Sequence, residues 1–551
     1  MSTTEALPTP GFLARERTIA TPGFSRWLVP PAALAIHLCI GMAYGFSVFW
    51  LPLSKAIGIT DPVECPANIS FIGRLFSTSC DWKLYMLGWT YTIFFVFLGS
   101  AAAIWGGWLE RAGPRKAGVV AAICWCGGLV ISASGVVLHQ LWMMWLGSGV
   151  IGGIGLGLGY ISPVSTLIKW FPDRRGMATG MAIMGFGGGA MIGAPLADRL
   201  MKFYATPTSV GVWETFLTLA AIYFVFMMAG ALSYRVPPDG WRPAKWDPSQ
   251  VKTKKLVTDK HVHLSVAWRT PQFWLLWGVL MLNVSAGIGI LGMASPLLQE
   301  VFGGRLIGVS ATIDQLTAAQ KTQIAAIAAG FTGLLSLFNI GGRIFWASLS
   351  DRLGRKATYA VFFLLGIALY SSIPWTAATV NLALFVAFFC VALSMYGGGF
   401  ATVPAYLADL FGTRMVGAIH GRLLTAWSTA GVLGPVLVNY IRDYQIDHGV
   451  ARAQAYSLTM FILAGLLAVG FICNLLIKPV DPKNFMTAEQ IAAEDQAETI
   501  RNGARKTATA TASGAGEAHA TWLVPVAWLA VWIPLGWGIW ITLQKAVLLF
   551  K

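Results

Sequence analysis

Thirteen stretches of this chain stay apolar for about twenty residues or more at a time, and no other property restricts its folding so strongly. A helix needs about 20 such residues to cross ~30 Å of hydrocarbon. The runs fall at 27–53, 84–109, 117–138, 141–168, 176–203, 213–234, 272–302, 323–349, 357–376, 380–408, 415–440, 453–477 and 522–544. They predict an all-α polytopic membrane protein with twelve spans and a thirteenth beyond a polar tail. Composition agrees: 56% of the 551 residues are hydrophobic and 11% charged, more apolar surface than a soluble fold of this size can bury. The first run has no cleavage signal behind it and is expected to be retained.

A net charge of +15 could point to nucleic acid, but the placement of the charge argues against it. With the N-terminus inside, 21 Lys and Arg fall in the N-terminal segment and inner loops against nine on the outer side. That asymmetry is the positive-inside bias. It predicts a multi-pass protein of the cell's inner (plasma) membrane with a cytoplasmic N-terminus, whose partner is the lipid bilayer and which binds no nucleic acid. All 24 acidic residues lie in loops or near helix ends, so Arg343 and Arg422 are the interior charges. Five cysteines lie in the spans, whereas Cys65 and Cys80 share the first outer loop, where an oxidising compartment could join them.

The chain matches itself at an offset of 241 residues. "WGGWLERAGPRK" from Trp105 overlays "WASLSDRLGRKA" from Trp346, and the same register pairs Pro163 with Pro404, Gly176 with Gly417, Gly180 with Gly421 and Gly193 with Gly434. One register across four helices means an internal duplication. The expected organisation is an N-terminal segment 1–26, a six-helix half 27–234, a basic central loop 235–270, a second half 271–478, a flexible linker 479–520 and an additional transmembrane helix in 521–551. Parallel six-helix repeats of this kind form a cavity between them and rock about a midplane site.

The repeated loop text, "GGWLERAGPRK" and "ASLSDRLGRK", resembles the G-x-L-a-D-R-x-G-R-K signature of the major facilitator superfamily. "GMAYGFSVFWLPL", "KWFPDRRGMATGMAIMGFGGG" and "NIGGR" are similar to its oxalate/formate antiporter family, with monocarboxylate transporters as relatives. The resemblance covers about 27–478 and omits the tail helix. It implies a major facilitator fold. Read physically, Glu110, Arg111 and Arg115 in one loop and Asp351, Arg352 and Arg355 in the other are expected to form a latch at the inner helix ends, made in one conformation and released in the other.

Arg343 lies eight residues inside Asp351, roughly 12 Å along a helix, too deep to reach the interface comfortably. Thr332, Ser336, Asn339 and Arg343 repeat at i, i+4, i+7 and i+11, a polar stripe expected to face the central cavity. By the resemblance Arg343 is the substrate arginine of the eighth helix, whose planar fork takes a carboxylate with two hydrogen bonds. Tyr44, Tyr160, Tyr396, Phe400 and Trp427 are candidate substrate walls; Tyr160 and Phe400, 240 residues apart, hold nearly equivalent places before the paired prolines. His37 has two readings, a backbone-bonded structural histidine or a proton-coupling or substrate group. Arg422 also has two, structural cation or second substrate cation. Trp427 stands where the family's oxalate antiporter has a lysine, and Asn339 where monocarboxylate transporters carry an aspartate.

These residues predict a secondary transporter of small carboxylates working by alternating access, with anion exchange favoured. Proton-coupled symport of a monocarboxylate is the alternative, and a non-transporting carboxylate sensor is a further one. No metal, cofactor or enzymatic motif is recognised in the chain, and a monomer is expected.

Overall fold

The computed structural model describes residues 11–66, 68–238, 240–244, 246, 256–502 and 522–550. Among them thirteen helices are long and apolar enough to cross a membrane: α1 Arg26–Leu53, α2 Leu84–Ala112, α3 Pro114–Val137, α4 Leu141–Trp170, α5 Arg175–Tyr204, α6 Val212–Ser233, α7 Pro271–Ile307, α8 Ala318–Leu353, α9 Arg355–Ala378, α10 Leu382–Phe411, α11 Val416–Asp447, α12 Ser457–Leu476 and α13 Leu523–Ala546. Helices α1–α6 and α7–α12 form two halves. They meet along two seams, α2 against α11 and α5 against α8.

The duplication is visible in the backbone. Gly113 ends α2 at φ 86° and Gly354 ends α8 at φ 90°, so each repeat turns into its next helix through a conformation that L side chains rarely adopt. These turns lie at one end of the bundle with the central loop and most of the Lys and Arg. We call it the basic end. At the other end Cys65 is joined to Cys80, and the Asp81 carboxylate accepts from the amides of Ile57, Gly58 and Val63 at 2.8, 3.0 and 2.9 Å. Inside α1 the residues Gly41–Phe49 wind as a 3-10 helix.

The segment read as a flexible linker is partly ordered. Its residues Ala488–Asn502 form a tail helix, with Glu494 and Asp495 paired to Arg414 at 3.3 and 2.7 Å and Glu494 to His263 at 2.9 Å. Low apolar content hid this helix, because it is held by charge pairs to the bundle instead of by a buried stripe. Residues 503–520 of that segment lie outside those described.

Candidate functional site

At the basic end each repeat lends a carboxylate to the other. Glu110 of α2 accepts from the Gly417 amide opening α11 at 2.9 Å, and Asp351 of α8 accepts from the Gly176 and Met177 amides opening α5 at 2.9 and 3.0 Å. The first few N–H groups of a helix have no partner within it and sit at the positive end of its dipole, so a carboxylate placed there binds well. Glu110 and Asp351 are repeat mates, and so are Gly176 and Gly417. The two contacts therefore form a crossed pair that joins the halves.

Arg355 donates to Asp351 at 2.6 Å and to Asp409 at 3.1 Å, and Asp409 also accepts from Arg175 of the opposite half at 3.0 Å. Lys169 donates to Glu110 at 2.7 Å. Sequence reasoning missed Lys169, Arg175 and Asp409, which lie outside the repeated loops. Arg115 corrects the latch reading. It is buried and donates to the carbonyls of Phe12 and Tyr234 at 3.1 and 3.4 Å, so it ties down its own half. Arg111 and Arg352 are exposed at their helix ends.

Midway through the bundle Arg343 is fully buried on α8. Its Nε donates to Asn339 Oδ1 at 2.9 Å, its Nη1 donates to the Ile183 carbonyl of α5 at 3.1 Å, and its Nη2 has no partner. The guanidinium lies between two rings from opposite halves, 5.8 Å from Phe186 and 5.6 Å from Phe400. Helix α5 comes this close because residue 187 is glycine; a methyl there would stand 3.0 Å from Arg343 Nε.

The predicted wall residues do converge on this point. Trp427 packs 5.2 Å from Tyr160, 5.2 Å from Phe186 and 5.0 Å from Phe400, and 6.4 Å from Tyr44. The Tyr44 and Tyr396 hydroxyls meet across the halves at 2.9 Å. Phe186 was not anticipated from sequence, although its glycine-rich surroundings, "MGFGGG", mark a bulky ring kept where the backbone is otherwise bare. Trp427 Nε1 and the Tyr160 hydroxyl are buried without a hydrogen-bond partner, as is Arg343 Nη2. Three unsatisfied donors in one aromatic cage are costly, about 1–3 kcal/mol each and more for the cation. An anion accepting from them would remove that cost.

The remaining candidates sit apart. His37 lies behind Tyr160, with rings 5.2 Å apart, and its Nδ1 and Nε2 face the carbonyls of Ala182 and Tyr160 at 2.5 and 3.2 Å. Arg422 donates to the Leu264 carbonyl at 3.1 Å and lies over Trp268, toward the basic end and outside the cage. It reaches the short central-loop helix Leu264–Ala267 from a part of α11 that ends in a break at Leu424, about two turns from the start. The polar stripe on α8 holds only in part: Thr332 and Ser336 turn their hydroxyls to their own helix at 3.1 and 3.0 Å, and the fully buried residues there are Phe331 and Leu335.

The sequence profile of the Major Facilitator Superfamily matches residues 33–435 and 312–549. Over 284 residues the chain is 30% identical to an oxalate:formate antiporter of Oxalobacter formigenes, covering 52% of this chain and 59% of that protein, less than two thirds of its length. It is 24% identical over 400 residues to an uncharacterised MFS-type transporter of Escherichia coli, covering 72% and 83% of the two chains. With apicoplast pyruvate carrier 1 of Toxoplasma gondii it shares 28% over 414 residues, 66% and 70% of the two. In fold it is similar to the Escherichia coli fucose:proton symporter FucP, with a TM-score of 0.54 at 13% identity over 83% of this chain and 100% of that one.

Proposed function

This chain belongs to the Major Facilitator Superfamily, and from that premise we propose that it is a secondary transporter of small carboxylates that works by alternating access, with anion exchange as its main mode. It is a transporter and not an enzyme. The observation that carries the substrate class is the buried Arg343, whose Nη2 makes no hydrogen bond and which has no carboxylate among its partners, in an aromatic cage that also holds the unpartnered Trp427 Nε1 and Tyr160 hydroxyl. An anion accepting from these donors would complete such a site. The guanidinium fork suits a carboxylate, and the rings of Tyr44, Phe186, Phe400 and Trp427 would cover a short carbon body.

Exchange follows from the same charge. Arg343 without an anion is a buried cation held only by neutral groups, so passage of the empty carrier through a closed state is disfavoured, and a bound carboxylate relieves it. The relatives support the class: one is an oxalate:formate antiporter and another a pyruvate carrier. Carboxylates added to purified protein should raise its melting temperature, and labelled substrate should show counterflow in proteoliposomes. If no member of a panel of formate, lactate, pyruvate and oxalate does either, the assignment fails.

Proton-coupled symport of the same anion is the second reading, and it rests on His37. Both its ring nitrogens face backbone carbonyls, an arrangement that only the doubly protonated ring satisfies with two donors. For placement in the cell we propose the inner (plasma) membrane with the basic end inside. The Lys and Arg gathered at that end and the Cys65–Cys80 bond at the other agree with such an orientation.

A further inference from the structure

Helix α13 lies beyond the duplicated core, yet it packs against both halves. Its buried residues Val531, Leu535, Gly538, Thr542 and Ala546 recur at intervals of three or four and so form one stripe. Around Val531 and Leu535 gather Leu34 and Leu38 of α1, Met184, Met191 and Ile192 of α5, and Leu337, Ile340 and Ile344 of α8. The opposite face, with Leu529, Ile533 and Trp540, is exposed as a lipid-facing surface would be.

How the stripe meets the α5–α8 seam depends on depth. Toward the basic end the two helices touch each other directly, with Gly176 and Gly180 of α5 against Ala347 of α8, and Gly187 against Ile340 and Arg343. Toward the disulfide end the small residues of each helix meet α13 instead. A methyl on Gly188 would stand 2.8 Å from Leu535, one on Gly538 3.0 Å from Ile192, and one on Gly333 3.0 Å from Thr542. A methyl on Gly330 would collide with the Lys545 carbonyl. Arg199 lies 5.1 Å from the Trp537 ring in the same region. Helix α13 therefore fills the angle between α5 and α8 where they part.

Hydrogen bonds between the halves lie at the centre of the bundle or toward the basic end: Tyr44 to Tyr396, Arg343 to the Ile183 carbonyl, Thr179 to the Ala401 carbonyl at 2.6 Å, and the crossed carboxylates. The structure is thus the conformation closed at the basic end. On the alternating-access reading, opening that end would swing the two halves so that α5 and α8 converge at the disulfide end, into the space α13 occupies. We propose that α13 is a wedge that favours the conformation closed at the basic end and sets how readily the transporter opens there. A surface complementary to α5 and α8 in one arrangement lowers the energy of that arrangement relative to others, which shifts the population without any ligand.

The inference rests on the alternating-access reading, and its test needs no substrate. In a protein whose free cysteines Cys39, Cys124, Cys126, Cys390 and Cys473 are replaced by alanine, Ala418→Cys reports on the basic end. Ala418 is 1% exposed and faces Gly106 across the α2–α11 seam. Maleimide labelling of the detergent-purified protein should be slow. Removal of 522–551, or Gly538→Leu to force α13 off α5, should speed it on the order of tenfold, while Leu529→Ala on the exposed face leaves it unchanged. Unchanged or slower labelling of a folded Gly538→Leu protein, checked by its melting transition, overturns the proposal; should the truncated chain not fold, the full-length variant decides. A wrong substrate class appears separately, as absence of stabilisation by the carboxylate panel.

Discussion

Replacing Arg343 by lysine keeps one positive charge at the centre of the bundle and removes the fork that places it. In the structure Nε and Nη1 are both used, by Asn339 Oδ1 at 2.9 Å and the Ile183 carbonyl at 3.1 Å, which holds the plane of the guanidinium so that Nη2 is presented to the cage. A lysine ammonium offers three donors on one atom and cannot hold both partners and present a donor at the Nη2 position. The charge contribution to anion binding largely survives; the positioned charge-assisted hydrogen bond does not. Such a bond is worth about 1.5–3 kcal/mol, so Kd for the best carboxylate should rise about 10–150-fold. Titration calorimetry on purified protein measures this, and counterflow in proteoliposomes should fall in parallel. The folded fraction should be little changed, because the substitution leaves no orphaned carboxylate behind. If Arg343→Lys binds and exchanges carboxylate within twofold of wild type, Arg343 is not the anion's partner and the reasoning from its free Nη2 collapses.

With Arg422 committed to the Leu264 carbonyl, the cage holds a single fixed cation, so monocarboxylates should bind more tightly than oxalate, and Trp427→Lys should move the preference toward the dianion; tighter oxalate binding by wild type would show that a second cation serves the site. Glu110→Gln and Asp351→Asn should each weaken closure at the basic end by about 1 kcal/mol, with Asp351→Asn the larger because Asp351 accepts from two helix amides and Glu110 from one, and faster maleimide labelling of the Ala418→Cys reporter measures both. His261, in the central loop beside the tail, is held below the usual histidine range by burial and by the nearby Arg414 and Arg175. Its folded-state pKa is lowered, so its contribution to stability is present above the ordinary value of about 6.5 and is lost as pH falls through and below it. The melting temperature should therefore drop on acidification in that window, less so in His261→Gln, and equal pH profiles for the two proteins would remove His261 from the linkage. Removing 522–551 should leave carboxylate exchange measurable, since Arg343 and its cage lie in the duplicated core; complete loss in a folded truncate would place α13 within the transport machinery.

Much of this molecule is legible in one dimension, and the reason is physical. Hydrocarbon imposes a length and a polarity on every span, so the thirteen helices follow from composition with small shifts at their ends. The duplication is legible too, because a turn that demands glycine, as at Gly113 and Gly354, fixes the same letter twice at one spacing. Arg343 stands out in sequence because a lone deep cation is costly. What the sequence did not reveal depends on distances between helices. The carboxylate partners at the basic end are backbone amides of Gly176, Met177 and Gly417, groups that every residue carries and no letter marks. Arg422 and Arg343 read alike as interior arginines, and only the break in α11 and the approach of the central loop send one to a carbonyl and leave the other facing the cage. Phe186 and the seat of α13 were equally hidden, since an apolar side chain facing lipid and one facing another helix are written with the same residues. Hydrophobicity identifies what lies in the membrane, whereas the packing of one helix on the next decides which of those residues meet.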